Sequence, residues 1–447
     1  MSAGNEVSRP ENPVRVEPVT EPVRSTQVFP LAVIELGTSA IRMAIGESDG
    51  SLSVRVLEQL VRGVSLGKDT FTIGEIQRKT LVDSIRVLKS YRRKLQEYQC
   101  TNPRNIRVVA TSAVREAINR LDVLDRIYIA TGLAVELIDD AEIARLTYLG
   151  VRPLLSEELI QQNSNTVVVE VGGGNTEVLL LKGKDIQHAQ PYRLGSLRMQ
   201  QQLLQADAQR RDVGRIMLGQ IDRSLEPLLD VIPRDQAVNL IALGGDIRFA
   251  ARLMNIDTRA PGLSSIPTVK LRALVDQLLP MPVDWIMHKY HIELPLAETL
   301  VPALLANVRL AEQLKVETIQ LTGFNLRDAL LQGMVSTNDW SQDFREQIIN
   351  SAMELARRYQ VDLSHATHVA RLARKLFLTL QPEHPMDARC ETLLYTAALL
   401  HETGLFVGLS GYHKHSYYLI MNSELFGLNS LDHQLVALIA QIGRAHV

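Results

Sequence analysis

The 447-residue chain is long enough for two or three domains with a large buried core. Its formal net charge is only −2, so bulk charge cannot hold a strongly anionic partner, which needs local clusters of Arg, Lys and backbone amides. The two cysteines, Cys100 and Cys390, lie far apart, which argues against a disulfide scaffold or thiolate zinc site and favours a reducing compartment. We find no bilayer-length apolar run and no signal-like start, and therefore expect a cytoplasmic protein.

The first predicted elements are a tail and a strand–turn–strand unit. Residues 1–28 are rich in Pro, Glu, Val and Ser without periodicity, which predicts a disordered tail. Short apolar runs at residues 33–36 and 41–45 flank the polar turn Gly37-Thr38-Ser39 and predict two paired strands. Helical spacing follows at residues 80–98, and another strand at residues 106–110.

The second region repeats the opening pattern. A strand at residues 166–171 leads into Gly172-Gly173-Gly174-Asn175, and a second strand follows at residues 178–181. Strand, carboxylate, small polar turn and strand thus occur twice, which predicts a duplicated domain. Further strands are predicted at residues 240–243 and 319–323. Beyond about residue 337 the pattern predicts only helices, at 344–359, 365–380, 393–401 and 431–440.

The two glycine-rich turns carry the predicted chemistry. A glycine run after a strand lets backbone N–H groups converge on an anion because no Cβ blocks the approach. Two turns facing each other across a cleft can bind successive phosphates. The carboxylates Glu35, Glu170 and Glu177 could hold Mg²⁺ through waters or orient an attacking water. Either turn alone could be a plain hairpin, and its occurrence at two matching strand ends argues against that alternative.

The motifs resemble those of the exopolyphosphatase / guanosine pentaphosphate phosphohydrolase (Ppx/GppA) family. Residues 35–42 (ELGTSAIR) resemble its phosphate loop D-x-G-S-N-S-x-R, and residues 170–177 (EVGGGNTE) its second loop D-I-G-G-G-S-T-E. Residues 110–115 (ATSAVR), 144–151 (ARLTYLGV) and 323–328 (GFNLRD) resemble further family segments in the same order. The matches run from about residue 30 to residue 335.

The resemblance implies an α/β fold of the acetate and sugar kinase/Hsp70/actin superfamily. Two ribonuclease-H-like (actin-like ATPase) domains, 29–153 and 154–337, would flank a cleft, followed by a truncated all-α HD-like domain at 338–440. Residues 441–447 look like a non-native tail encoded by adapter sequence, so His446 is not interpreted. The implied phosphate-binding residues are Gly37, Thr38, Ser39, Arg42, Arg115, Gly172, Gly173, Gly174, Asn175, Gly244, Gly245 and Arg327. Guanidinium groups suit this role because they are always charged and bond bidentately, although each could be a surface residue or structural ion pair.

Three departures from the family pattern concern catalysis. Glu35 and Glu170 stand where the family has Asp, so each carboxylate is one methylene longer. Ile143 stands where the family has the Glu that resembles the catalytic base, and the adjacent Glu142 would point about 100° away on a helix. Two outcomes follow. Hydrolysis could be supported by a metal-bound water or by another carboxylate, namely Glu177, Glu142 or Glu170, with Glu35, Glu170 and Glu177 as the candidate Mg²⁺ ligands. Alternatively, the chain is a sensor that binds the anion with little turnover.

The histidines of the helical region allow two interpretations. Eight of the eleven lie between His365 and His446, and His365 with His401-Glu402 resembles the ligand pattern of HD phosphohydrolases, although Glu402 replaces Asp. A structural role is the stronger interpretation, with His413, Lys414 and His415 as candidates for anion contact. The expected partner is inorganic polyphosphate or a guanosine polyphosphate, without membrane or nucleic acid, and the family suggests a possible homodimer. An ATP-using relative is the remaining alternative, which the family-specific segments disfavour.

Overall fold

A computed structural model describes residues 28–50, 53–157, 160, 164–205, 210–232, 236–258, 262–335, 342–423 and 425–442. The predicted tail up to residue 27 lies outside these ranges, as do residues 443–447 of the predicted non-native end. Residues 441–442 complete the last helix.

The first sheet has five strands in the order β3-β2-β1-β4-β5. Strands β1, β4 and β5 are parallel, whereas β1, β2 and β3 form antiparallel hairpins. β1 is buried along most of its length because helices cover both faces of the sheet, which accounts for its unbroken apolar run. The strands are β1 (Phe29–Leu36), β2 (Ala40–Ser48), β3 (Arg55–Gly63), β4 (Ile106–Ala110) and β5 (Val135–Leu137).

The second sheet repeats this arrangement and adds one strand. Its order is β8-β7-β6-β9-β11-β10, in which β6, β9 and β11 are parallel and β10 is an antiparallel edge. The predicted duplication and the two ribonuclease-H-like domains are therefore confirmed. The strands are β6 (Asn165–Val171), β7 (Thr176–Lys182), β8 (Asp185–Tyr192), β9 (Val238–Leu243), β10 (Ser264–Pro267) and β11 (Thr318–Leu321).

Helices surround both sheets and then form an all-helical region. In the first domain they are α1 (Leu66–Ile73), α2 (Arg78–Glu97), α3 (Ser112–Arg115), α4 (Arg120–Thr131) and α5 (Asp140–Val151). In the second they are α6 (Ser196–Gln205), α7 (Arg210–Val231), α8 (Gly245–Leu253), α9 (Thr268–Leu278), α10 (Val283–Tyr290), α11 (Leu294–Gln313) and α12 (Leu326–Val335). The helical region contains α13 (Gln342–Arg358), α14 (Leu363–Leu380), α15 (Ala388–Leu400), α16 (Tyr412–Met421) and α17 (Ser430–Ile442). Short 3₁₀ turns lie at Pro103–Asn105, Arg152–Leu154 and Thr403–Phe406.

Two helices tie the parts of the chain together. α12 follows the second sheet in sequence, yet it packs against β1, β2 and α5 of the first domain. α5 uses two faces, since Ile143 and Leu146 lie in the cluster with α12, whereas Tyr148 lies in the core shared with the helical region. Asp139, the N-cap of α5, also accepts hydrogen bonds from the backbone N–H and hydroxyl of Ser430, at 2.9 and 3.1 Å. The helical region therefore contacts the helix that borders the cleft between the domains.

One helix in the described part of the chain, α11, is long and apolar enough to cross a membrane by length and composition alone. However, 72% of its most apolar stretch is buried inside the fold, where it packs against α6, α7, α8 and α9. Its apolar character is that of a core helix of the second domain.

Candidate active site

The two glycine-rich turns have the same backbone hydrogen bond. The Gly37 N–H donates to the Ala40 carbonyl at 3.1 Å, and the Gly172 N–H donates to the Asn175 carbonyl at 2.9 Å. An added Cβ at Gly172 would lie 2.9 Å from that carbonyl oxygen, so a side chain would disrupt the turn. Each turn thus closes a hairpin at the carboxyl end of a central strand, between β1 and β2 in one domain and between β6 and β7 in the other.

The turns of the two domains meet directly. A Cβ added to Gly173 would lie 2.5 Å from Cγ2 of Thr38, so the Thr38 side chain packs against the bare backbone of the opposite turn. The carbonyl of Gly173 also accepts hydrogen bonds from the first amides of α6, at 3.0 Å from Leu197 and 3.1 Å from Arg198. On the other side of the contact, the Thr38 carbonyl accepts a hydrogen bond from the Gly67 N–H at 2.8 Å, so the backbone is held in both domains.

The turns form part of one cleft of about 1510 Å³. Its walls combine the carboxyl ends of β1 and β6 with the starts of α8 and α12, as expected for a ligand site in an α/β fold. The predicted site residues that line this cleft are Glu35, Gly37, Thr38, Ser39, Arg42, Glu170, Gly172, Gly173, Gly174, Asn175, Glu177, Gly244, Gly245 and Arg327. Ile143 also lines it.

Glu35 is held between two arginines in the cleft wall. It forms a buried ion pair with Arg327, and its other oxygen lies 3.5 Å from Nη1 of Arg42, its cross-strand neighbour. Burial alone would raise the pKa of Glu35, but the charges of Arg327 and Arg42 together lower it below its usual range. Glu35 is therefore a carboxylate that orients both guanidinium groups.

The equivalent position in the second hairpin holds two carboxylates. Glu170 and Glu177 are cross-strand partners on β6 and β7, where the first hairpin pairs Glu35 with Arg42. Burial raises the pKa of Glu170, and the charge of Glu35 adds to this effect, whereas the nearby Arg248 opposes it. Like charges placed directly opposite each other destabilise a hairpin unless a cation or proton lies near them.

Two predicted site residues lie outside the lining of the cleft. The carboxylate of Glu142 accepts hydrogen bonds from Nε and Nη2 of Arg145, at 2.7 and 2.8 Å. Arg115 forms an ion pair with Asp140 and donates to the Ile138 carbonyl at 2.7 Å. Both side chains are therefore engaged by contacts within their own domain.

Comparison with known proteins matches two family models to successive parts of the chain. The model of the Ppx/GppA phosphatase family matches residues 44–338, which is more than half of the chain, and the model of Ppx/GppA phosphatase domain III matches residues 348–447. The chain belongs to the Ppx/GppA phosphatase family. Two solved structures show the same fold. The Aquifex aeolicus family member is 21% identical with a TM-score of 0.54, covering 70% of this chain and 100% of its own. An exopolyphosphatase from Cytophaga hutchinsonii is 23% identical with a TM-score of 0.59, covering 69% of this chain and 98% of its own.

Ile143 marks where this Ppx/GppA chain departs from the family pattern. Its side chain is 8% exposed and packs in the cluster with Val33, Ile138 and Leu330 while bordering the cleft. An aliphatic group therefore forms this part of the wall, at the position where the resemblance of the motif predicts a proton acceptor. The adjacent Glu142 is paired with Arg145 and does not line the cleft.

The carboxylates of the Ppx/GppA cleft divide into two groups when tested as ligands for Mg²⁺. Glu170 and Glu177 form an opposed acidic pair, which is the oxygen-ligand chemistry that Mg²⁺ prefers, with waters and substrate phosphates completing its shell. Glu35 fits less well because Arg327 and Arg42 already occupy its oxygens. Within the described ranges, the oxygens of these three residues do not all come within 4.8 Å of one another.

Sequence reasoning missed two charged residues on α8 that line the cleft. Arg248 donates to the Phe324 carbonyl at 3.1 Å and lies close enough to Glu170 for their charges to interact. Asp246 accepts a hydrogen bond from the Thr299 hydroxyl at 3.1 Å, and burial raises its pKa to about 6. The available signal was their spacing, one and three residues beyond Gly244-Gly245 at the start of a helix.

Proposed function

We propose that this chain hydrolyses the terminal phosphoanhydride bond of inorganic polyphosphate or of guanosine pentaphosphate. The proposal rests mainly on one observation: the glycine-rich turns of both domains meet in a single cleft that Arg42, Arg248 and Arg327 also line. Backbone amides and guanidinium groups bind phosphate oxygens without providing apolar contacts for a neutral ligand. The relative named an exopolyphosphatase has the same fold, which agrees with this substrate class.

The binding roles follow from the contacts of each arginine. Arg42 has one weak ion pair, and its side chain is 29% exposed, so it can turn toward a phosphate at little cost. Arg327 is 10% exposed and fixed by Glu35, so it would act as a preorganised charge in the cleft. Arg42 would therefore adjust to the bound phosphate chain, whereas Arg327 would contact it with little movement.

The hydrolytic roles fall to the acidic pair of the second hairpin. Glu170 has a raised pKa, which lies closer to neutral pH than that of an ordinary glutamate and makes the carboxylate a more effective proton acceptor. Glu170 would therefore take a proton from the attacking water. Glu177, directly across from it, would orient that water. Mg²⁺ held beside this pair through waters would neutralise phosphate charge and would leave the Glu170 carboxylate able to accept the proton. We expect these reactions to take place in the cytoplasm, where such phosphorylated substrates occur.

The position of Ile143 favours a second candidate function, a polyphosphate or guanosine polyphosphate sensor with little turnover. Loss of a general base typically lowers a rate by about 10² to 10⁴, whereas the turns and arginines needed for binding remain. The two candidates therefore share a ligand and differ in turnover.

Phosphate release measured with both substrates and Mg²⁺ separates the candidates. We expect measurable turnover that falls by about 10² or more in Glu170→Gln, which removes the proposed proton acceptor. The matched control is Glu97→Gln, an exposed carboxylate on α2 that pairs with Lys94 far from the cleft. Binding without release by the wild type would support the sensor, and neither binding nor release would refute both functions.

A further inference from the structure

The helical region contains a second cluster of ligand-type side chains, outside the cleft. His365 lies in the first turn of α14, while His401 and Glu402 follow directly after α15. Nε2 of His365 and Nε2 of His401 lie 3.8 and 3.9 Å from the same Glu402 oxygen. All three potential ligand atoms lie within 4.8 Å of one another, and within the described ranges no other group of three such residues is this compact.

The hydrogen bonding of His401 leaves its Nε2 atom, the nitrogen nearer Glu402, able to bind a ligand. Nδ1 of His401 lies 2.8 Å from the Ala398 carbonyl oxygen. Because a carbonyl can only accept, Nδ1 carries the proton and Nε2 keeps its lone pair, directed to the side of Glu402. A histidine whose second nitrogen donates to a backbone carbonyl is the usual arrangement at metal centres.

The turn that carries two of the three ligands is held rigidly. The Ser416 hydroxyl donates to the His401 carbonyl at 2.8 Å and accepts from the Gly404 N–H at 2.9 Å. The buried Thr403 hydroxyl donates to the Leu400 carbonyl at 2.9 Å. These bonds fix the turn against α16, so ordering His401 and Glu402 costs little when a ligand binds.

We propose that His365, His401 and Glu402 bind a divalent transition-metal ion, with Zn²⁺ as the preferred ion. Two imidazoles and one carboxylate form a three-ligand set that leaves a fourth position open in zinc sites. Ligand atoms of a tetrahedral ion lie about 3.4 Å apart because Zn–N and Zn–O bonds are about 2.0–2.1 Å long, so each ligand needs to shift by only about half an ångström.

The surroundings make the site accessible from solvent. The His365 side chain is 51% exposed, whereas His401 and Glu402 are 23% and 21% exposed. The distances of 3.8 and 3.9 Å from the histidine nitrogens to the Glu402 oxygen are longer than a hydrogen bond, and the centroids of the two imidazole rings lie 5.8 Å apart. The open position would face solvent on the side of His365.

Competition between the metal-free full-length chain and a chromophoric chelator for Zn²⁺ tests the proposal. With millimolar Mg²⁺ present to saturate oxygen-only sites, we expect one equivalent to bind and His365→Asn to weaken it by more than about tenfold. The matched control is His368→Asn, an exposed histidine on the same helix, which should bind like the wild type.

Cobalt provides an independent readout on the same proteins. Co²⁺ bound by nitrogen and oxygen ligands in a four-coordinate site gives visible absorption bands, which we expect in the wild type and His368→Asn but not in His365→Asn. Both His365 and His368 are exposed, so neither substitution removes core packing. Absence of a stoichiometric Zn²⁺ equivalent, or equal Zn²⁺ affinity in the two variants, would overturn the proposal.

Discussion

Replacing Ile143 with Glu tests directly whether the missing carboxylate limits turnover. The residue faces the cleft from α5, so a glutamate there would extend toward the acidic pair and the phosphate-binding turns. The matched control is Ile143→Gln, which has nearly the same size and polarity but cannot accept a proton at neutral pH. Any difference between the two variants therefore reports the carboxylate itself.

The expected magnitudes differ for rate and stability. A restored general base should raise the rate by about 10² to 10⁴, which corresponds to about 3–5 kcal/mol in activation free energy. Ile143 is 8% exposed and packed among apolar residues, so burying the polar end of Glu or Gln there should cost about 1–3 kcal/mol of stability. A domain of typical stability, about 5–15 kcal/mol, remains folded after that loss.

The assay compares initial rates of phosphate release from polyphosphate and guanosine pentaphosphate for the wild type, Ile143→Glu and Ile143→Gln. Urea denaturation of each protein verifies that the folded fraction is the same under the assay conditions. We expect the Glu variant to be faster than the Gln variant by at least about a hundredfold. Equal rates in folded, ligand-binding variants would refute the assignment of this position to proton transfer.

Further predictions concern stability. Burial lowers the pKa of His188 to about 4, so the unfolded chain binds more protons than the folded chain between pH 6.5 and pH 4. The free energy of unfolding should therefore fall by about 3 kcal/mol as the pH decreases over that range. Urea titrations should show a smaller pH dependence for His188→Gln. Glu35→Gln leaves the Arg327 charge unpaired and should lower the free energy of unfolding by about 3–5 kcal/mol. Added polyphosphate should restore the lost stability by pairing with Arg327. Gly150→Ala would place Cβ 1.8 Å from the Phe324 ring and should cost about 1–3 kcal/mol by the same measurement.

The central strands could be predicted because burial on both faces gives them unbroken apolar runs. The predicted strand at residues 106–110 matches β4, and the runs around both turns match the β1–β2 and β6–β7 hairpins. β3 was missed because it is an edge strand whose side chains are mostly exposed, so no apolar pattern marks it. β5 was missed because three residues are too few for any periodicity.

The sequence located the turns of the site but not the orientation of every side chain. Local motifs suggested Arg115 and Glu142, yet neither side chain lines the cleft: Arg115 pairs with Asp140 of another segment, and Glu142 pairs with Arg145 one turn along the same helix. Arg248 was missed for the converse reason. Its approach to Glu170 depends on the direction that α8 takes after Gly244.

A shared phosphate site between the domains is the central claim, and calorimetric titration with tripolyphosphate tests it most directly. Arg42→Gln removes a cleft guanidinium from the first domain and Arg248→Gln removes one from the second, while Arg55→Gln is a control for an exposed arginine paired with Glu47. We predict one bound tripolyphosphate per chain, with affinity more than about tenfold weaker in each cleft variant and unchanged in the control. Wild-type affinity in either cleft variant, or equal weakening in all three, would contradict the account.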